Sequence, residues 1–272
     1  MRLAVSNIAW EPREDGAVAE LLRRHGVGGV EIAPTKWRER PLDTPSSEIA
    51  AYRRHWEDSG LPIVSLQSLL FGHPELQLFG DAAARQAMRD YLRRMIDLGS
   101  DLGAGALVFG SPKNRRRGSM PLADAVHVAC DFLRDLGDEA RARGVLFCLE
   151  ANPPSYDCDF MTTTADAVEL CRLVGEESVR VNIDLGGMTI EHEETAPTIR
   201  AAAPFIGHVH ASEPNLAELG AAADHEAAAE ALAAIDYGGW VSIEMRAAGG
   251  SDNLAAVDRA VLRAKKAYGR LN

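Results

Sequence analysis

The sequence predicts an α/β fold in which eight parallel strands alternate with eight helices and close into one (β/α)8 barrel of the TIM type. Three observations predict it. The chain has 272 residues, close to the roughly 250 typical of such a barrel built as one domain. Short apolar runs rich in Val, Ile and Leu alternate with longer amphipathic stretches about eight times. No linker-like shift in composition divides the chain, so residues 1–272 read as a single domain.

The first strand is expected at 3–10 (LAVSNIAW), followed by a helix at 14–25 that Gly26 stops. The next strand, 28–34, leads to a helix at 46–59 that opens at Ser46 and ends at Gly60. A strand at 62–69 precedes a helix at 81–102, capped by Asp81 and stopped by Gly103. The strand 105–111 is paired with a helix at 121–143, which Gly144 ends. The strand 145–152 is followed by a helix at 163–174 between Thr163 and Gly175. The last three units place strands at 179–186, 206–213 and 239–245, and helices at 192–203, 224–235 and 252–269, the last opening at Asp252. Near-continuous apolar runs suit strands buried on both faces. Ser, Thr and Asp at the starts accept from free backbone N–H groups, and glycine takes the left-handed turn at the stops.

An open doubly wound sheet is the competing arrangement. It normally carries a glycine fingerprint for phosphate directly after its first strand. Here that position reads Asn7-Ile8-Ala9-Trp10-Glu11-Pro12, and Gly26-Val27-Gly28-Gly29 precedes a strand instead of following one.

Composition narrows the function. With 46% hydrophobic and 25% charged residues, the chain is an ordinary globular one and not a disordered one. No apolar run approaches the roughly 20 residues of a membrane span. Met1 leads into a strand-like segment and not into a secretory leader, so a cytoplasmic location is expected. Cys130, Cys148, Cys158 and Cys171 form no CxxC pair and read as reduced, buried thiols. A net charge of −11 argues against a nucleic-acid partner and for a small-molecule substrate.

Barrel active sites lie at the C-terminal ends of the strands. The polar residues there are Glu31 on the second strand, Gln67 and Ser68 on the third, Glu150 and Asn152 on the fifth, and Asn182 and Asp184 on the sixth. His208, His210 and Glu213 follow on the seventh, and Glu244 and then Arg246 on the eighth. Taken singly, a glutamate here is usually an ion-pair residue and a histidine usually a hydrogen-bonded core residue. Taken together, Glu150, Asp184, His210 and Glu244 come from four successive strands. Three carboxylates that close repel one another unless a cation lies between them. The set is rich in oxygen and suits Mn²⁺, Mg²⁺ or Co²⁺, with Zn²⁺ also compatible.

At these residues the sequence resembles the xylose-isomerase-like superfamily. The resemblance rests on Leu149-Glu150-Ala151-Asn152-Pro153, Asn182-Ile183-Asp184, His208-Val209-His210 and Ser242-Ile243-Glu244-Met245. That superfamily includes ketose 3-epimerases, inosose dehydratases and apurinic endonucleases. The resemblance implies that Glu150, Asp184, His210 and Glu244 bind one metal, that Glu150 and Glu244 are the catalytic acid/base pair, and that Arg246 contacts a substrate oxygen. It also implies a sugar or polyol substrate and a homodimer or homotetramer. Two positions depart from the epimerase pattern. Gly187 stands where a substrate-binding histidine is usual, and Ser212-Glu213-Pro214-Asn215-Leu216 lacks the usual arginine.

Such a site polarises a carbonyl and acidifies the neighbouring C–H bond. Proton return on the other face gives epimerisation, return at the adjacent carbon gives isomerisation, and loss of a β-hydroxyl gives dehydration. A sugar isomerase/epimerase is the leading reading. A keto-polyol dehydratase, an endonuclease-like hydrolase and a non-catalytic sugar-binding barrel are the alternatives. Lys113, Arg246, His208, Asn152, Gln67 and Glu213 are the candidate substrate contacts. Lys113 leads a basic loop, Lys113-Asn114-Arg115-Arg116-Arg117, in which Arg115 has an equal claim. Trp10, Trp37, Phe71 and Met188 are candidates for an apolar wall, and His73 and His225 could approach the substrate from loops.

Overall fold

The computed structural model describes residues 1–248 and 252–269. Its strands are β1 (Arg2–Ser6), β2 (Gly29–Ile32), β3 (Ile63–Leu66), β4 (Ala106–Phe109), β5 (Leu146–Glu150), β6 (Val179–Asp184), β7 (Ile206–Ser212) and β8 (Trp240–Glu244). All pairings are parallel, and β8 returns to β1 to close the barrel in sequence order. The helices are α1 (Asp15–Arg24), α2 (Pro34–Trp37), α3 (Ser46–Asp58), α4 (Ala82–Leu102), α5 (Leu122–Ala142), α6 (Thr164–Val174), α7 (Leu185–Ile190), α8 (Thr195–Ala202), α9 (His225–Ala234) and α10 (Asn253–Tyr268). Among the described residues, no helix is long and apolar enough to cross a membrane.

Each strand falls within its predicted run or one residue beyond it, and the fold is the predicted (β/α)8 barrel. The five predicted stops, Gly26, Gly60, Gly103, Gly144 and Gly175, all have left-handed φ between 67° and 84°. Asp81 accepts from the Ala84 N–H, and Thr163 forms a reciprocal capping box with Asp166. Two starts differ. Pro45 occupies the cap of α3, so Ser46 is its first helical residue, and Asp252 stands at the cap of α10 without a side-chain bond.

The predicted helix at 192–203 is α8, and a short helix that was not predicted, α7, precedes it. The carboxylate of Asp184 caps the Gly187 N–H at 2.9 Å and starts α7 directly at the end of β6. Gly186 and Gly187 are poor helix formers, so that turn carries no propensity signal. It is held by its cap and by burial of Leu185 and Met188.

The long helices pack one apolar stripe on the barrel. On α5 that stripe is Ala125, Ala129, Phe132, Leu133, Leu136 and Ala140, spaced three and four residues apart. All four cysteines are buried and unpaired, as read from the sequence. The barrel interior is less usual. Such interiors are normally filled by Val, Ile and Leu. Here Ser6, Glu31, Ser65, His208, His210 and Ser242 are all 0–1% exposed.

Candidate metal centre and active site

Strand registry brings the four predicted ligands together. Asp184 lies opposite His210 across β6 and β7, and Glu244 lies opposite Ser212 across β7 and β8. Nδ1 of His210 is 3.2 Å from a carboxylate oxygen of Glu150 and 3.2 Å from one of Glu244. Asp184, His210 and Glu244 each offer a ligand atom within 4.8 Å of the others.

The donors fit a divalent cation. His210 Nδ1 is buried and makes no well-directed hydrogen bond, although carboxylate oxygens of Glu150 and Glu244 lie 3.2 Å away. A ring nitrogen without a partner, enclosed by three carboxylates, is costly as a closed protein site and ordinary as a cation site. The electrostatics agree. Burial, and then the charges of Glu150 and Glu244, push Asp184 up to about 7. Glu244 is also raised, first by burial. Burial raises Glu150 too, but His210, Asn152 and Arg115 outweigh it and hold that carboxyl below its usual range.

Two of the three carboxylates are aimed by neighbours. Asn152 Nδ2 and Asn182 Nδ2 donate to the two oxygens of Glu150 at 2.8 and 2.9 Å. The Ser212 hydroxyl donates to Asp184 Oδ1, while the Gly187 N–H donates to Oδ2 at 2.9 Å. Gly110 makes room for Glu150, since a Cβ there would lie 2.4 Å from Glu150 Oε1. Gly110→Ala is therefore expected to fold but to displace this carboxylate. A shift of about 1 Å costs about 10²-fold in turnover, and steady-state kinetics beside a melting curve checks it.

A cavity of about 190 Å³ opens over the carboxylates, bordered by Gln67, Gly110, Glu150, Asn152, Asp184 and Glu244, among others. A larger one of about 610 Å³, between the loop after β7 and α10, is lined by none of the four predicted ligands.

Of the six predicted substrate contacts, Asn152, Gln67 and Glu213 border the cavity, and the structure places His208, Lys113 and Arg246 outside its lining. His208 faces inward like His210 but sits two residues deeper on β7. Its Nε2 lies 3.0 Å from Glu31 Oε2 and 3.3 Å from Ser65 Oγ, below the cavity. Glu213 borders the cavity, but its oxygens accept from the Gly220 and Ala223 N–H groups and contact His225 Nε2, which holds the loop after β7. Lys113 points to solvent, 73% exposed, and pairs with Asp157 at 3.4 Å. Arg246 is exposed and outside the cavity lining.

The buried cation of the basic loop is Arg115. It donates to the backbone oxygens of Gly110, Glu150, Phe160 and Met161 and to Asn152 Oδ1. It therefore acts on the site through Glu150 and Asn152. Trp10 is core, bonded to Asp15 and tilted against Trp56, and Trp37 stacks on Tyr52. Met188 is buried and Phe71 exposed. His225 is bound to Glu213 and Tyr268, and His73 pairs with Glu75.

Two groups were missed. Tyr156 borders the cavity, its hydroxyl held by the Asn215 N–H at 2.8 Å. Ser65, Ser212 and Ser242 bond the buried carboxylates. Their only sequence signal is a small polar residue within an apolar strand.

A family model described as xylose isomerase-like TIM barrel matches residues 19–265. A protein named D-psicose 3-epimerase from Ruminiclostridium cellulolyticum is 29% identical over 162 residues, 59% of this chain and 55% of its own length. Another of the same name from Agrobacterium fabrum is 27% identical over 210 residues, 74% of this chain and 68% of its own. The match thus spans little more than half the length of the first relative. A crystal structure of D-psicose 3-epimerase with D-tagatose, from Clostridium cellulolyticum H10, superposes with a TM-score of 0.81 at 19% identity, covering 100% of this chain and 99% of that one. At that identity the superposition speaks for the fold alone.

Proposed function

The chain belongs to the xylose isomerase-like TIM barrel family, and from that premise we propose that it is a divalent-metal-dependent sugar isomerase or epimerase acting on a ketose or a polyol-derived ketone. The observation that carries this is the partnerless Nδ1 of His210, buried between the carboxylates of Glu150 and Glu244 with Asp184 beside it.

Glu150, Asp184, His210 and Glu244 would hold the cation, Mn²⁺, Mg²⁺ or Co²⁺ by their oxygen-rich chemistry. When bound, it supplies Lewis acidity at the substrate carbonyl, which weakens the adjacent C–H bond. The proton transfers belong to the two glutamates. One removes the proton from the carbon beside the carbonyl, and the other returns a proton to the opposite face, which inverts that centre. Asn152 and Asn182 keep Glu150 aimed for this, and Ser212 and the Gly187 N–H do the same for Asp184. Gln67, Asn152 and Tyr156 at the cavity wall are suited to hold hydroxyl groups. The four buried, unpaired thiols suit a reducing, cytoplasmic setting.

A keto-polyol dehydratase is the second reading, and Gly187 favours keeping it. A Cβ at that position would lie 2.9 Å from Asp184 Oδ2. This chain therefore has no room there for the histidine of the epimerase pattern unless Asp184 moves.

The test is incubation with free ketoses and keto-polyols in Mn²⁺, Co²⁺ or Mg²⁺, with a chelated control. Epimerisation leaves the product mass unchanged, whereas dehydration lowers it by one water. Failure of the purified protein to bind any divalent cation at micromolar concentration overturns both readings. Chelation is expected to abolish activity and to lower the melting temperature. A ligand held at 100 to 1,000 times its Kd contributes about 3–4 kcal/mol, or roughly 5–15 °C for a chain of this size. Differential scanning fluorimetry with and without EDTA reads it.

A further inference from the structure

We propose that Glu31 is the positioning residue of the metal centre: it holds the proton of His210 on Nε2 and so leaves Nδ1 bare toward the cation. This rests on the metal site proposed above and adds a residue outside the ligand set.

Glu31 lies on β2 and is 0% exposed. Five groups reach its two oxygens. Ser65 Oγ donates at 2.7 Å, Gln67 Nε2 at 3.0 Å and Ser242 Oγ at 3.2 Å. His208 Nε2 and His210 Nε2 both face Oε2, at 3.0 and 3.1 Å. These donors come from β3, β7 and β8, so one carboxylate ties three other strands together inside the barrel.

An ionised carboxylate only accepts and has nothing to donate. A bare ring nitrogen 3.1 Å from such an oxygen would set lone pair against lone pair. His210 Nε2 must therefore carry a proton, and in the neutral ring the free lone pair is then on Nδ1. That atom is the one 3.2 Å from Glu150 and Glu244 with no hydrogen-bond partner. A ring nitrogen that holds a metal is commonly oriented in this way by a carboxylate on the other nitrogen.

A second metal between Glu31, His208 and His210 is the competing use of this cluster, whose ligand atoms lie within 4.8 Å of one another. The hydrogen bonds from Ser65, Gln67 and Ser242 argue against it, because they already occupy the oxygens a metal would need.

The test combines Co²⁺ titration calorimetry with two-dimensional ¹⁵N–¹H spectroscopy of the histidine rings. The spectrum of the wild type is expected to show a slowly exchanging proton on His210 Nε2. Glu31→Gln presents an amide N–H to a nearby ring nitrogen, and is expected to bind Co²⁺ about 10–100-fold more weakly. Turnover should return at high Co²⁺, with kcat at saturating metal close to wild type. Ser65→Ala, which removes a donor to Glu31 and none to His210, is expected to bind Co²⁺ within a few-fold of wild type.

A wild-type His210 protonated only on Nδ1, or a Glu31→Gln protein with unchanged Co²⁺ affinity, overturns the assignment. Binding of two Co²⁺ per wild-type chain, falling to one in Glu31→Gln, overturns it in favour of the second metal. The ring spectrum, recorded on wild type loaded with diamagnetic Mg²⁺, needs no variant and tests the Nε2 proton even if Glu31→Gln does not fold. A wild type that binds no cation overturns the metal site on which the assignment rests.

Discussion

Glu150→Gln and Glu244→Gln are each expected to lower kcat by about 10²–10⁴-fold, the range for losing a positioned general acid or base. Both leave the fold standing, since glutamine keeps the shape of the side chain. The chemistry does not survive the change. An amide neither takes nor gives the proton, and it removes a negative charge from the cation site. These two roles are separable by isotope exchange. In D₂O, at a metal concentration that saturates the variant, a protein lacking one carboxylate should still exchange the substrate proton on the face served by the other. It should not invert the centre. Loss of exchange on both faces at saturating metal would overturn the assignment of one face to each glutamate. Full turnover by either variant would falsify the acid/base assignment. Glu150→Gln carries an additional cost, because Asn152 and Asn182 donate to its two oxygens and an amide accepts at one only.

Arg115→Met is expected to lower stability by about 3–5 kcal/mol, as removing a buried charge from its partners does. The melting temperature should fall by about 6–20 °C. Arg115 is 0% exposed. It donates to four backbone oxygens, on the loops after β4 and β5 and at the end of β5, and to Asn152 Oδ1. Methionine fills much of the volume and supplies none of these bonds, which leaves acceptors buried without partners. The variant should also lose turnover at temperatures where it is folded, because Asn152 and the end of β5 are no longer held. Urea unfolding and kinetics below the transition measure the two effects separately. A change under about 1 kcal/mol would show that water replaces the guanidinium.

Much of the barrel is legible in the chain because its signals are local. Apolar runs and amphipathic stretches alternate through it, and left-handed glycines end the helices where they were expected. The four candidate ligands are legible for the same reason, each being a costly polar residue at or near the end of an apolar strand. What fails is depth and direction. His208 and His210 share one side of β7 by the two-residue period, but period does not say which of them reaches the mouth. Lys113 and Arg115 are near neighbours in one loop. Only the carbonyls that surround Arg115 make it the buried one.

The barrel alternation and the residues Glu150, Asp184, His210 and Glu244 were determined by sequence alone, since hydrophobic period and strand-end position are properties of short segments. Tertiary structure alone decided the role of Glu31, which stood in the sequence as one more polar strand residue. Closing eight tilted strands staggers them, so residues far apart in number meet at one level of the barrel. Glu31 and His210 are 179 residues apart and 3.1 Å from contact atom to contact atom. No local pattern encodes that meeting, and on it the bare lone pair of His210 depends.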